Sequence, residues 1–226
     1  MLPSPHTCKL QVTSRRPYHV QSSTPNGIGL SVAVALGAWF MLVAVLGAAG
    51  AFASPPGTPP LPIFVGVVAP IIAFFLFYWL SPAFRDFVLN LDLRVVTAIQ
   101  AWRAAGLGFI ALYVHHVLPG GFAWPAGLGD LAIGLTAPWV ILALIRRPNF
   151  AASNWFVAWN VLGLLDLVDA VSTGALSAAL ATGAPGEITS GPMAELPLVL
   201  IPAYLVPIFV MLHAAALFQS RRLARH

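Results

Sequence analysis

Long runs of apolar residues alternate with short polar breaks along most of this chain. Six of these runs are each close to the roughly 20 residues that an α-helix needs to cross the hydrocarbon core of a membrane. The predicted spans are Ile28–Phe52, Leu61–Leu80, Val95–Val117, Ala126–Ile145, Trp155–Leu176 and Met193–Phe218. The runs are continuous, whereas strands of a transmembrane β-barrel alternate apolar and polar residues. The pattern therefore predicts an all-α, polytopic membrane protein built as a bundle of six transmembrane helices.

Residues that disfavour helices occupy the breaks between these runs. Ser54–Pro60 and Pro119–Pro125 are rich in proline and glycine, which predicts loops. Arg146–Asn149 predicts a tight charged turn, and Ala178–Pro192 predicts a small polar loop. Ser81–Arg94 mixes phenylalanine and leucine with charged residues, a pattern typical of a short helix at the membrane interface.

The composition agrees with a protein embedded in lipid. Of the 226 residues, 59% are apolar and 8% are charged, and the mean hydropathy is +0.86, whereas about 25% charged residues is usual for a soluble domain. A soluble domain of this length could not bury so much apolar surface, which excludes a soluble enzyme and a disordered protein. The basic residues are scattered rather than clustered, so no nucleic-acid partner is expected and the expected partner is the lipid bilayer.

The basic residues sort to one side of the membrane if the N-terminus is placed in the cytoplasm. Ten of the eleven then lie in cytoplasmic segments, and none lies in an outer loop: Lys9, Arg15, Arg16, Arg85, Arg94, Arg146, Arg147, Arg221, Arg222 and Arg225. Because cytoplasmic segments retain lysine and arginine, both termini are predicted to be cytoplasmic in a multi-pass protein of the inner or plasma membrane. Residues 1–26 are predicted to be a disordered tail, residues 27–220 the transmembrane domain and residues 221–226 a basic tail. The alternative is cleavage at Ala51–Ala53, which resembles a signal-peptidase site and would leave five spans.

Ionisable side chains inside the spans are the candidate functional residues, because placing Arg or Asp near the centre of a membrane helix costs about 2.5–3.5 kcal/mol. The candidates are Arg103, Asp130, Asp166 and Asp169, with Glu195 and His213 as weaker candidates. A rise of about 1.5 Å per residue predicts that Arg103 lies opposite Asp166, and that Asp130 lies level with Asp169 in the outer half of the membrane. Asp166 and Asp169 are three residues apart and are expected to share a helix face that points into the bundle.

The charges of this set do not cancel. Arg103 balances one of the three deep carboxylates, so in a medium of low dielectric constant either at least one aspartate is protonated or a cation is bound there. Small residues surround Arg103 on the third span, which predicts close packing of this face against another helix. Two structural alternatives remain open: Arg103 and Asp166 form a pair that only fixes helix register, or Asp130, which follows two glycines, caps a helix that begins late.

The sequence contains no recognised catalytic, phosphate-binding or metal-binding motif, and no cofactor is expected. His115 and His116 lie at the outer end of the third predicted span, whereas His213 lies near the inner end of the sixth, so these histidines cannot flank one haem. The lone cysteine, Cys8, excludes an intrachain disulfide. The favoured expectation is that the protein is not an enzyme.

Three functions agree with this pattern. The first is movement of protons, cations or a small solute, with Asp130, Asp166 and Asp169 as carriers and Arg103 as their counter-charge. The second is a non-catalytic membrane subunit or assembly factor that packs against a membrane-protein partner or a second copy through small residues of the first span. These small residues are Ala44, Gly47, Ala48 and Ala51. The third is a membrane redox or lipid-modifying enzyme.

Overall fold

The computed structural model describes residues 27–147 and 149–225, which form α-helices joined by loops and single helical turns. The tail predicted at residues 1–26, with Cys8, lies outside the described residues. The helices are α1 (Gly27–Ala48), α2 (Leu61–Leu80), α3 (Pro82–Leu89), α4 (Leu93–Gln100), α5 (Leu107–Val114), α6 (Gly120–Arg146), α7 (Asn154–Ala179) and α8 (Val206–Leu223). The predicted all-α class is confirmed.

Six segments of the described chain are long and apolar enough to cross a membrane. Four of them, α1, α2, α6 and α7, are single helices. The third span, Leu93–Val114, consists of α4, a 3₁₀ segment at Ala101–Gly106, and α5. The sixth span, Ile201–Leu223, begins with a π-helical turn at Ile201–Leu205 and continues as α8. The six predicted spans are therefore present, although two of them begin elsewhere than predicted.

Capping side chains mark where several helices begin. Ser81 and Ser153 each accept a hydrogen bond from a backbone N–H in the first turn of α3 and α7, respectively, at 3.2 Å. Asp92 caps α4 by accepting from the backbone N–H of Arg94 at 2.8 Å. Such caps satisfy donors that the helix itself leaves free. The short helix predicted within residues 81–94 is present as α3.

The fourth span begins at Gly120, so the predicted loop at Pro119–Pro125 is wrong. Pro119 directly precedes the first turn of α6. Proline lacks an amide hydrogen, and this costs nothing here because an amide at the start of a helix has no acceptor within the helix. The helix then continues through Pro125. In hydrocarbon, ending the helix here would expose unbonded amides, which favours continuing it.

The sixth span begins at Ile201, so the predicted start at Met193 is wrong. Pro192 and Pro197 interrupt this stretch, and Gly191–Ala194 forms a separate 3₁₀ turn. Each proline removes an amide donor and clashes with the preceding turn of a helix. The true span is therefore displaced toward the C-terminus, which changes the depth of every residue on it.

Helix α6 lies at the centre of the bundle, in contact with α4, the 3₁₀ segment, α5 and α7. Helices α2 and α7 contact α8, whereas α1 packs at the edge against α3 and the π-helical turn. On α1, Gly47 is buried against Leu196 and Val199. Gly47 belongs to the small-residue face that was expected to bind a partner, and it packs instead against residues of the same chain.

Apolar side chains cover the outside of the bundle, while polar side chains are buried inside it. Leu80 and Trp102 are 78% and 67% exposed, whereas Arg103 and His213 are 2% and 0% exposed. Contiguous apolar surface of this kind is expected where a protein faces lipid. Together with the six spans, this distribution identifies a multi-pass membrane protein.

Candidate functional site

Arg103 lies in the 3₁₀ segment, and its side chain is completely buried between two carboxylates. Its Nε donates a hydrogen bond to Asp130 Oδ1 at 2.6 Å, and its Nη2 donates to Asp166 Oδ2. The guanidinium carbon also lies 5.9 Å from the centre of the Phe209 ring, within cation–π range. Arg103 therefore ties α6, α7 and α8 to the third span.

The remaining nitrogen of Arg103 binds a histidine and a backbone carbonyl. Its Nη1 lies 3.2 Å from both Gly163 O and His213 Nε2. A guanidinium only donates hydrogen bonds, so Nε2 accepts and the ring proton is on Nδ1. That proton is donated to Asn160 Oδ1 at 2.9 Å, while Asn160 Nδ2 donates to Phe156 O at 2.8 Å. These bonds fix His213 as a neutral imidazole.

We call Arg103, Asp130, Asp166 and His213 the polar centre. Its charges sum to minus one when both carboxylates are ionised, because one guanidinium faces two carboxylates and a neutral imidazole. The carboxylate side chains are 15% and 13% exposed, whereas Arg103 is 0% exposed. The acidic groups therefore lie at the accessible side of the polar centre, and the arginine lies behind them.

Four glycines make room for the polar centre. A Cβ atom on Gly106 would collide with Asp130, one on Gly129 with Asp166, and one on Gly163 with the ring of His213. A Cβ atom on Gly134 would lie 2.8 Å from the Cα of Ala104, beside Arg103. Small residues thus let the helices approach closely, as predicted for the face around Arg103.

Each member of the polar centre lies near the middle of its span. For His213 this corrects the prediction of a position near the inner end, because the sixth span begins later than predicted. For Asp130 it corrects the capping alternative, because α6 begins ten residues earlier, at Gly120. The predicted pairing of Arg103 with Asp166 is present. Asp130 was predicted to lie level with Asp169, but it binds the same arginine as Asp166.

Two of the candidate residues lie outside the polar centre. Asp169 is exposed on the outer face of α7, between Leu165 and Leu176, so the expectation that it points into the bundle is wrong. Successive residues on a helix are about 100° apart, so a three-residue step turns a side chain about 60° away from Asp166. Glu195 is exposed in the loop before the sixth span.

A cavity of about 390 Å³ leads to the polar centre from one end of the bundle. Its walls come from α2, α5, α6, α7 and the start of the sixth span, and Asp130 is the deepest ionisable group that lines it. At the other end it is lined by the loops that contain Ser54 and Glu195. A smaller cavity of about 150 Å³ is lined by Arg103 and Phe209 and also reaches Asp130.

Neutral polar side chains are buried in the opposite half of the bundle. They are Thr97, Gln100, Asn160, Gln219 and Ser220. Gln219 Nε2 donates to Val88 O at 2.9 Å, and Gln100 Nε2 donates to Phe209 O at 3.3 Å. Gln100 Oε1 is buried and has no partner among the described residues. These residues were not among the predicted candidates, which were all ionisable, although amide side chains within apolar runs of the sequence indicate buried polar groups.

An exposed arginine–aspartate pair provides a contrast with the polar centre. Arg94 Nη2 lies 2.8 Å from Asp92 Oδ2, but these side chains are 58% and 44% exposed. The hydrogen bond from the Arg94 side chain lowers the pKa of Asp92, which lies outside the spans. Water screens this pair, so its contribution to stability is small.

Two other histidines of the described residues lie apart from the polar centre. His115 and His116 are exposed at the end of α5, and both ring nitrogens of His213 are engaged in hydrogen bonds. Across residues 27–147 and 149–225, no group of three or more His, Cys, Asp or Glu side chains is placed to hold a metal ion.

These features define a multi-span membrane protein with a buried arginine–carboxylate centre. Residues 59–221, more than half of the chain, match the family model of a domain of unknown function, DUF8737, and the chain belongs to that family. The matched range contains the whole polar centre and begins just before α2, so α1 lies outside it. Comparisons with curated proteins and with solved structures gave no match.

Proposed function

We propose that this protein is a transporter that carries protons, or a cation in their place, through the polar centre. The observation that carries this proposal is the buried Arg103 held between Asp130 and Asp166 at the end of a cavity. With both carboxylates ionised, the polar centre is one positive charge short of neutrality. In a medium of low dielectric constant such a deficit favours uptake of a proton or a cation.

Asp130 is the proposed carrier, and Arg103 keeps the second carboxylate ionised. Asp130 lines both cavities, and its Oδ2 accepts no hydrogen bond from the described residues. Asp166 is instead held by the guanidinium and packs on Gly129. Binding of one proton at Asp130 leaves a neutral Arg103–Asp166 pair, which hydrocarbon tolerates better than an isolated charge.

The proposed orientation places the cavity mouth outside the cell and the buried neutral polar side chains on the cytoplasmic side. The basic residues support it, because ten of the eleven lie in segments that then face the cytoplasm. The membrane would be the inner or plasma membrane, with both termini in the cytoplasm. A carried ion would enter by the cavity, reach Asp130 and leave along the half that contains Gln100 and Asn160.

Neutralising either carboxylate of the polar centre is expected to reduce flux to the background of empty vesicles. Purified protein is reconstituted in liposomes with a trapped pH-sensitive dye, and acidification is followed under an imposed membrane potential. Asp130→Asn and Asp166→Asn each remove the extra negative charge that attracts the ion. Asp169→Asn is the matched control, because Asp169 lies one turn away on α7 but outside the polar centre, and it is expected to keep the wild-type rate.

Equal flux in Asp130→Asn, Asp166→Asn and wild-type protein would contradict the carrier role. Loss of flux in all three variants would also contradict it, since Asp169 makes no contact with Arg103. Size-exclusion profiles in detergent must match between the variants before their rates are compared.

The exposed carboxylate of Asp169 favours a second candidate function, that of a membrane subunit. Asp169 and Ser172 interrupt the lipid-facing surface of α7 near its middle, between Leu165 and Leu176. A carboxylate facing hydrocarbon is costly unless another helix covers it. This candidate predicts that the wild-type chain conducts nothing alone and sits in a larger complex.

Association through this face is expected to depend on Asp169. If a partner or a second copy covers it, the complex seen by native mass spectrometry from mild detergent is expected to disappear in Asp169→Leu, since that side chain cannot form a polar contact. Leu165→Ala is a control on the same face. A monomer in both the wild type and the variant would remove this candidate.

A further inference from the structure

The walls of the 390 Å³ cavity are mostly apolar and include aromatic rings. Four phenylalanines contribute to them: Phe52, Phe64, Phe109 and Phe122. Phe109 and Phe122 pack edge to face, with ring centres 5.4 Å apart. Helix α7 contributes small and aliphatic side chains to the cavity wall, among them Leu167, Val171 and Ala175. Such a lining provides affinity for a hydrocarbon body through burial of apolar surface.

Among the described residues, all ionisable side chains that line this cavity are acidic. Asp130 lies at its deep end and Glu195 at its mouth, and no lysine, arginine or histidine of the described ranges contributes to the lining. Two of the hydroxyl groups at the mouth take part in hydrogen bonds, since Ser190 Oγ donates to Gly174 O at 2.6 Å and Thr189 Oγ1 accepts from Gly191 N at 3.1 Å. The cavity therefore offers one deep polar anchor, and that anchor is negative.

The volume of the cavity distinguishes an organic ligand from a bare ion. Pockets that hold small organic molecules have volumes of about 300–1,000 Å³, and this cavity falls within that range. A single inorganic cation at Asp130 would leave the apolar walls without contacts. A neutral hydrocarbon would fill the walls but would leave the deficit of positive charge at the polar centre uncompensated.

We propose that this cavity binds an organic cation: a protonated amine at Asp130 whose apolar or aromatic body fills the space between Phe109, Phe122 and α7. This rests on the proposed function, because it makes the ammonium group the cation that neutralises the polar centre. The ammonium donates hydrogen bonds to the Asp130 carboxylate, and neighbouring phenyl rings attract its charge through their π faces.

The test compares an amine with its uncharged analogue on protein in lipid nanodiscs. The probes are 2-phenylethylamine and 2-phenylethanol, which share a body and differ in the charged group, and binding is measured by isothermal titration calorimetry against empty nanodiscs. Wild-type protein is expected to bind the amine at least about tenfold more tightly than the alcohol, as a charge-assisted hydrogen bond implies. Asp130→Asn is expected to remove that preference.

A second variant tests the cavity without touching the polar centre. Ala175→Phe places a ring in the cavity wall and is expected to weaken binding of both probes, because it fills their space. Ala158→Phe is the matched control, since Ala158 lies on the same helix but is exposed and outside the lining, and it is expected to bind both probes as the wild type does.

The outcomes separate this proposal from the proposed function. Equal affinity for the two probes, no binding of either, or a preference for the amine that survives Asp130→Asn would overturn the ligand class, and unchanged binding in Ala175→Phe would contradict this cavity as the site. Proton flux is measured in liposomes without the amine, so it can persist when amine binding fails. Conversely, charge-dependent amine binding without proton flux would support the binding site and would contradict the proposal that the protein transports protons.

Discussion

Arg103→Met is expected to prevent recovery of folded protein from the membrane. The substitution leaves Asp130 and Asp166 facing each other without a cation, and it removes the donors that bind Gly163 and His213. Breaking a buried ion pair by removing one partner costs about 3–5 kcal/mol, because an uncompensated charge remains buried. The measurement is the yield of monodisperse protein in mild detergent, followed by its thermal unfolding midpoint.

Two further variants identify the cause of this loss. Arg94→Met removes an arginine from the exposed pair with Asp92 and is expected to keep the wild-type unfolding midpoint, because water screens this pair. The triple variant Arg103→Met, Asp130→Asn, Asp166→Asn carries no charge in the polar centre and is expected to recover part of the yield. A wild-type unfolding midpoint in Arg103→Met would show that the carboxylates are not stabilised by the guanidinium.

Gly134→Ala is expected to separate α6 from the third span. The new Cβ would lie 2.8 Å from Ala104 Cα and 2.9 Å from the carbonyl carbon of Arg103, and backbone cannot rotate away as a side chain can. Overpacking usually costs about 1–3 kcal/mol when neighbouring side chains adjust. Here the helices must move apart, so we expect a loss at or above the upper end of that range, measured as a lower unfolding midpoint.

Gly108→Ala is the matched control for this steric effect. It makes the same change on α5, where an added Cβ meets no atom of the described residues within 4 Å. Alanine is favoured over glycine in a helix by about 1 kcal/mol, so the control is expected to be neutral or slightly stabilising. If both glycine variants unfold at the same temperature, close packing at Gly134 is not what holds α6 in place.

Most of the span pattern could be predicted because apolar length alone determines it. The second span was predicted as Leu61–Leu80 and lies there. The fourth and sixth spans were misplaced at their starts, because proline was treated as a helix breaker at Pro119–Pro125 but as compatible with a helix at Pro197. At Pro119 it precedes the first turn and begins α6, whereas at Pro197 it interrupts a run that otherwise resembles a helix.

The composition of the polar centre was only partly predictable. Depth and charge correctly paired Arg103 with Asp166, because both lie near the middle of spans whose bounds were nearly right. His213 was assigned to the wrong depth, because its span was displaced by several residues. Asp169 was predicted to lie in the interior because it is three residues from Asp166. Spacing along one helix does not show how much of that helix's surface the neighbouring helices cover.

The close packing at the four glycines limits which substitutions members of this family can accept around the polar centre. A side chain larger than hydrogen at position 163 is compatible with this packing only if position 213 carries something smaller than histidine, and positions 129 and 166 are coupled in the same way. Members of the family are thus expected to change these positions in pairs. A relative that retains the arginine and both aspartates but replaces Gly134 must hold them in a differently spaced bundle.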